Sequence, residues 1–412
     1  MRTTARLVCL SLIGVAVACS SSHEGDGGER GVPSPRGPEA PPSTPAAPPV
    51  TPPEMNPAPA PEPAPSAEVT YPPLFVGRFD TTDPAGPRAA WPGTRVLARF
   101  DGTAVSVKLR EFAEEWMEGK PSYWEVRIDD GRWIPIRMIA DDTPHDFELA
   151  KDLPPGPHQV ELYKRSETQT GITQFLGFDF HGGRSLPSPP RQTRKIEVMG
   201  DSFATGFGVE NTSSPDTDCP GADWSGEWQN FRKAWGAILG TTFDAEVHAI
   251  VYSGKGFVKN AWPTDDDGLR DYYPRANPDP EIAKSAPLFD LRSWIPDVIV
   301  LTQGSCDIDG GLGSAELIRV YRTFVIDTLR ARGPNTHIFM GVVGRGARGE
   351  VAAAAQGIIA ERAAVGDDRM HFFEVAPYTW EETTACNGHG TPAWHQRIAD
   401  ALAAEIRAKV GW

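Results

Sequence analysis

Lys195-Ile196-Glu197-Val198-Met199-Gly200-Asp201-Ser202-Phe203 is a short apolar run that stops at a glycine and is followed at once by an acid and a serine. Ala204-Thr205-Gly206-Phe207-Gly208 comes next. A buried strand that breaks at Gly200 puts the hydroxyl of Ser202 at its carboxyl end, where open α/β sheets bind ligands. A serine there becomes a nucleophile if a histidine reaches it. Taken alone, the stretch reads as a strand followed by an ordinary serine-containing turn. The second half of the chain, and His389 above all, changes that balance.

From about Arg194 onward, apolar runs recur at Ile196–Met199, Val247–Val251, Val298–Leu301, Ile338–Val343 and Phe372–Val375. Helical spacing lies between and after them. Behind Ser314, a candidate N-cap, Leu317, Tyr321, Val325 and Leu329 fall on one face; behind Pro392, Trp394, Ile398, Leu402 and Ile406 do the same. Apolar strands alternating with helices predict a parallel, doubly wound, flavodoxin-like sheet covered on both sides, over residues 193–412.

Upstream, residues 71–188 alternate as short strands do. Asp101-Gly102 and Asp129-Asp130-Gly131 each read as a hairpin turn between apolar-alternating segments. The expectation is a β-sandwich of jelly-roll type, by itself most often structural or sugar-binding.

At the start, Arg2 and Arg6 precede an apolar segment, Leu7 to Ala18, too short to span a bilayer. Residues 1–18 read as a signal peptide. Ala16-Val17-Ala18-Cys19 resembles a bacterial lipobox, which implies cleavage before Cys19 and lipidation of its thiol. Plain secretion is the alternative. Residues 19–70, rich in Pro, Ala, Ser and Gly, cannot build a core and read as an extended tether. The implied location is the bacterial cell envelope.

The 412 residues carry 40 basic and 55 acidic side chains, a net charge of −15, with no basic block. Nucleic acid is therefore an unsuitable partner, and a membrane is met only through the anchor at Cys19. With Cys9 removed and Cys19 lipidated, Cys219, Cys306 and Cys386 remain. An odd number outside the cytoplasm suggests one disulfide and one free thiol, with Cys219 and Cys386 the expected pair.

Ester hydrolysis by a serine needs a base near neutral pH and donors aimed at the oxyanion. Cys386-Asn387-Gly388-His389-Gly390-Thr391-Pro392-Ala393-Trp394-His395 offers two histidines. His389, in a Gly-rich loop, is expected to be the base; His395, in the first turn of the last helix, a structural residue. Asp307 reads as a hydrogen-bonding residue of the strand-end loop rather than a catalytic one; with Asp309 it could suggest a cation, but two spaced acids without further ligands are usually solvated. Trp262, Tyr273 and Trp380 read either as a platform for sugar rings or as core.

The blocks Gly200-Asp201-Ser202, Ser253-Gly254-Lys255-Gly256, Gly304-Ser305-Cys306-Asp307 and Asn387-Gly388-His389 resemble, in order, those of SGNH (GDSL-type) hydrolases. Gly77-Arg78-Phe79-Asp80, Trp91-Pro92-Gly93-Thr94 and Lys164-Arg165-Ser166-Glu167 narrow the resemblance to carbohydrate esterase family 2. It implies a β-sandwich ahead of a three-layer hydrolase domain, and removal of O-acetyl groups from acetylated carbohydrate without metal or organic cofactor. Carried over by position, Ser202 is the nucleophile and its own N–H an oxyanion donor. The backbone of Gly254 is the second donor, with Gly256 in reserve, and His389 is the base. Two positions depart from the pattern. Cys306 stands where an asparagine completes the oxyanion hole, and a thiol is a weak donor. Asn387 stands where an aspartate orients the histidine, a task left here to a main-chain carbonyl, which Asn387 could itself supply. These departures keep open a carbohydrate-binding envelope protein with a decayed site. A hydrolase for another acyl ester is also open.

Overall fold

The computed structural model describes residues 69–112, 120–211, 225–262, 267–278, 287–344, 346–383, 386 and 388–412. The expected signal segment, Cys19 and nearly all of the expected tether lie outside the described residues.

Arg194–Gly200, Ala245–Val251, Val298–Leu301, His337–Val342 and Met370–Glu374 form one sheet, every neighbouring pair parallel. The spatial order is second, first, third, fourth, fifth, which is the flavodoxin-like order. Alternate side chains leave the sheet on opposite faces, and both faces are dry. Val298 and Val300 share one apolar cluster with Trp235, Leu239, Trp394, Ile398 and Leu402; Ile299 and Leu301 share another with Leu317, Tyr321, Val325, Leu329 and Val351. Each such fully buried side chain contributes about 1.5–3 kcal/mol of transfer free energy. This two-sided burial is why the strands read as continuous apolar runs rather than as alternation.

The helix Ser314–Thr323 starts one residue earlier than a Ser314 cap would set it. Gly313 is the N-cap and Ser314 the first helical residue. The helix continues as a π-helical stretch, Phe324–Arg330, yet Leu317, Tyr321, Val325 and Leu329 are all fully buried. The last helix, Pro392–Val410, has Pro392 in its first turn and Thr391 as cap, its hydroxyl accepting from Trp394 N at 3.4 Å. Among the described residues no helix is long and apolar enough to cross a membrane.

The preceding residues form two antiparallel sheets around a common apolar core. One contains Arg95–Asp101, Pro157–Lys164 and Tyr123–Ile128; the other contains Ile172–Asp179, Val105–Phe112 and Pro144–Ala150. The Asp129-Asp130-Gly131 hairpin is present, pairing Tyr123 with Arg137 and Val126 with Ile134. The Asp101-Gly102 hairpin is not. Arg95–Asp101 and Val105–Phe112 belong to different sheets, so this turn carries the chain across the core. Val96, Ala98 and Phe100 point into that core from one wall, and Val105, Val107 and Leu109 from the other. A turn dipeptide fixes the bend, whereas the burial of both apolar rows decides the partner.

Both halves lie in one compact unit, Pro65–Trp412. Arg78, from the antiparallel half, pairs at 3.0 Å with Glu197 in the middle of the first parallel strand, both side chains fully buried. Arg332 at 2.8 Å and the hydroxyl of Tyr273 at 3.0 Å also address Glu197. Tyr273 is thus a core residue rather than part of a sugar platform.

Candidate active site

The strand order dictates which turns are neighbours. Tyr252 N donates to Gly200 O at 3.1 Å on one side of the first strand, and Thr302 N donates to Met199 O at 2.9 Å on the other. The turns carrying Gly254 and Cys306 therefore flank the turn carrying Ser202. Ser202 opens a single helical turn, Ser202–Thr205, capped by Asp201, whose carboxylate accepts from Phe203 N at 3.0 Å. First-turn amides have no acceptor inside a helix, which leaves the Ser202 N–H available to an external anion.

His389 Nε2 lies 2.7 Å from Ser202 Oγ, across 187 positions of sequence. Its other nitrogen, Nδ1, lies 3.0 Å from the main-chain carbonyl of Cys386. An Nδ1–H donated to that carbonyl leaves Nε2 as the acceptor facing the serine, the tautomer a general base requires. The ring is held by Phe203 and Phe207, with centroids 5.1 and 4.7 Å away. The loop bearing it is closed by the Thr383–Gly390 bridge and by Thr391 N donating to Glu382 O at 2.8 Å. Gly390 is required here, since a Cβ would fall on the indole of Trp394.

The acceptor at Nδ1 is Cys386, three residues ahead of the histidine; Asn387, the residue considered for this task, lies outside the described residues. Cys386 is disulfide-bonded. Its expected partner, Cys219, also lies outside them. His395 is buried, accepts from Trp235 N at 3.4 Å, and is pushed down to about 3 by burial, with His389 adding to the effect. It is a neutral core histidine, as its place on the helix suggested.

Gly254 adopts a left-handed backbone (φ 75°) beneath the indole of Trp262, so a side chain there would be strained and would collide with the ring. Trp262 itself is half exposed, as is Trp380. Asp307 has a different duty from cation binding. Its carboxylate accepts from the amides of Phe257, Val258 and Lys259 at 2.7, 2.9 and 3.0 Å, fixing the far end of the Gly254 loop.

Cys306 is a free, buried thiol that donates to Asp201 Oδ2 at 3.7 Å. Burial pushes it well above the usual thiol range, and Asp201 and Asp307 add to this. It is therefore neither a thiolate nucleophile nor a donor free to face an oxyanion; its hydrogen is taken by a neighbouring carboxylate. Ser305 Oγ reaches the same oxygen at 2.5 Å. Burial also raises Asp201, opposed by these donors.

Residues 75–190 match the carbohydrate esterase 2 N-terminal family. The cellulase/esterase CelE of Acetivibrio thermocellus is 30% identical over 344 residues, 82% of this chain and 40% of CelE. An acetylxylan esterase / glucomannan deacetylase of Cellvibrio japonicus is 26% identical over 341 residues, 82% of this chain and 88% of the relative. A family two carbohydrate esterase from Clostridium thermocellum, solved in complex with cellohexaose, has a TM-score of 0.74 at 28% identity, covering 82% of this chain and 99% of that one. These likenesses make the chain similar to the carboxylic ester hydrolases of carbohydrate esterase family 2, although it spans less than half the length of CelE. It is a carbohydrate esterase family 2-like protein.

Proposed function

We propose that this protein is a serine esterase that removes O-acetyl groups from polysaccharide or oligosaccharide. Ser202 Oγ attacks the acetyl carbonyl while His389 Nε2 takes its proton. The imidazolium, held by the Cys386 carbonyl, returns that proton to the departing sugar oxygen. Water then attacks the acyl-serine, with His389 again as base, and acetate leaves. The amides of Ser202 and Gly254 receive the negative charge in both steps. Trp262, half exposed over Gly254, offers a face on which a sugar ring can stack. The antiparallel sheets are read as a jelly roll, and the whole as an envelope lipoprotein held through Cys19 and its tether.

The 2.7 Å approach of His389 Nε2 to Ser202 Oγ carries this reading. It is tested by acetate release from acetylated xylan, acetylated glucomannan and a chromogenic acetate ester, beside Ser202→Ala. Release that vanishes in the variant supports the proposal; equal release from both proteins defeats it. Preference for long acyl chains would redirect it to another ester. Cys306 favours a second reading, a carbohydrate binder with a decayed site, because its hydrogen goes to Asp201. Tight binding of acetylated xylan without turnover would identify that case.

A further inference from the structure

The loop that carries Gly254 is held at its start by a residue of the other half of the molecule. Glu167 follows the antiparallel strand Pro157–Lys164 and is completely buried. One carboxylate oxygen accepts from Ser253 N at 3.0 Å and the other from Ser253 Oγ at 2.7 Å. The hydroxyl of Thr205 lies between this carboxylate and Ser202 O, 3.1 Å from the latter, and its single hydrogen serves one of the two at a time. One carboxylate thus touches both the turn of Ser202 and the residue immediately before Gly254.

Glu167 is itself fixed. Its N–H donates to Gln229 Oε1 at 2.7 Å, and its carbonyl accepts from Lys164 Nζ at 3.2 Å. Lys164 is fully buried, and burial brings it down to about 8. Buried polar groups of this kind are retained at a desolvation cost, and here the outcome is a defined orientation of the peptide that follows Ser253. The parallel half holds the loop from Gly254 onward, with Ala261 N donating to Gly254 O at 2.9 Å, Gln303 Nε2 donating to Lys255 O and Asp307 accepting at residues 257–259, and it leaves Ser253 to Glu167.

We propose that Glu167 is a positioning residue for ester hydrolysis. By gripping Ser253 through both oxygens, it sets the Ser253–Gly254 peptide so that the Gly254 amide faces the oxyanion. This rests on the reading of Gly254 as an oxyanion donor. The antiparallel half then completes the catalytic centre rather than merely accompanying it.

The test uses the full chain with Glu167→Ala and Glu167→Gln. Glutamine keeps the shape, and its amide can still accept from Ser253 N while donating to the hydroxyl. Glu167→Ala is expected to lower kcat by about a hundredfold, the scale of a small misplacement at a reacting centre, with KM within about threefold. Glu167→Gln is expected to recover most of that loss. Hydrogen exchange of the peptide spanning residues 251–256 is measured alongside, and is expected to quicken in Glu167→Ala and return toward wild type in Glu167→Gln. Unchanged exchange, or kcat unaffected by Glu167→Ala, overturns the proposal. If Glu167→Ala does not fold, Glu167→Gln and Ser253→Ala decide. A double-mutant cycle showing no coupling between the two residues in kcat also overturns it. Should the wild type prove inert on every ester, the esterase reading fails, while the exchange data still say whether Glu167 fixes the turn.

Discussion

Nδ1 of His389 is 3.0 Å from the carbonyl oxygen of Cys386, a residue that is itself disulfide-bonded. The group that orients the imidazole is therefore part of a covalently tethered turn. Reduction of this disulfide is expected to lower kcat by on the order of tenfold, about 1.4 kcal/mol of transition-state stabilisation, with little change in KM. Steady-state kinetics before and after reduction and alkylation check this. Cys306 does not interfere, because burial keeps its thiol protonated.

Cys306→Asn is expected to raise kcat. The thiol now donates to Asp201, and an amide at this position has a second hydrogen to offer an oxyanion. A single such donor is worth ~10²–10³ in turnover, which sets the upper limit of the gain. Turnover of a chromogenic acetate by the variant gives the answer; no gain would mean that residue 306 does not face the oxyanion.

Gly390→Ala is expected to be destabilising and inactive together. The added methyl has no room beside Trp394, and overpacking of this kind costs about 1–3 kcal/mol. The shift of Trp394 would reach the loop that holds His389. Thermal unfolding and acetate release measured on the same preparation test the pairing of the two effects.

His395 links stability to acidity. Unfolded, its imidazole takes a proton below the ordinary value of about 6.5; folded, it stays neutral until about 3. Within that window the unfolded chain binds the extra proton, so this group's contribution is complete above about pH 6.5 and is lost as pH falls. The slope is about 1.4 kcal/mol per pH unit, or roughly 2 kcal/mol between pH 6.5 and 5. His395→Asn, which keeps an acceptor for Trp235 N, is expected to flatten this part of a denaturant-derived stability profile.

The parallel sheet was legible because its strands are buried on both faces. Val298–Leu301 is an unbroken apolar run and Ile196–Met199 is interrupted only by the buried Glu197, and burial of both faces is what such runs require. Ser202 and His389 were legible from the order of short blocks around them. What escaped was set by partners distant in sequence. The Asp101-Gly102 turn looked like a hairpin because a turn dipeptide carries no record of the wall on which the next strand lands. Asp307 read as bonding within its own strand-end loop, because its donors, three amides near residue 258, leave no mark in side-chain chemistry. Glu167 appeared only as one residue of a charged tetrapeptide, and nothing in that tetrapeptide points to Ser253, 86 positions later.

Arg78 and Glu197 meet with no water around either side chain, and removing one partner of such a pair strands a charge at a cost of about 3–5 kcal/mol. A cut between the two halves would do this to Arg78, whereas Glu197 would keep Arg332 and Tyr273. The antiparallel fragment is then not a portable module: transplanted to a new scaffold, it would carry an orphaned guanidinium on the face it had lost. Recombination in this lineage is accordingly expected to shuffle the two halves as one cassette.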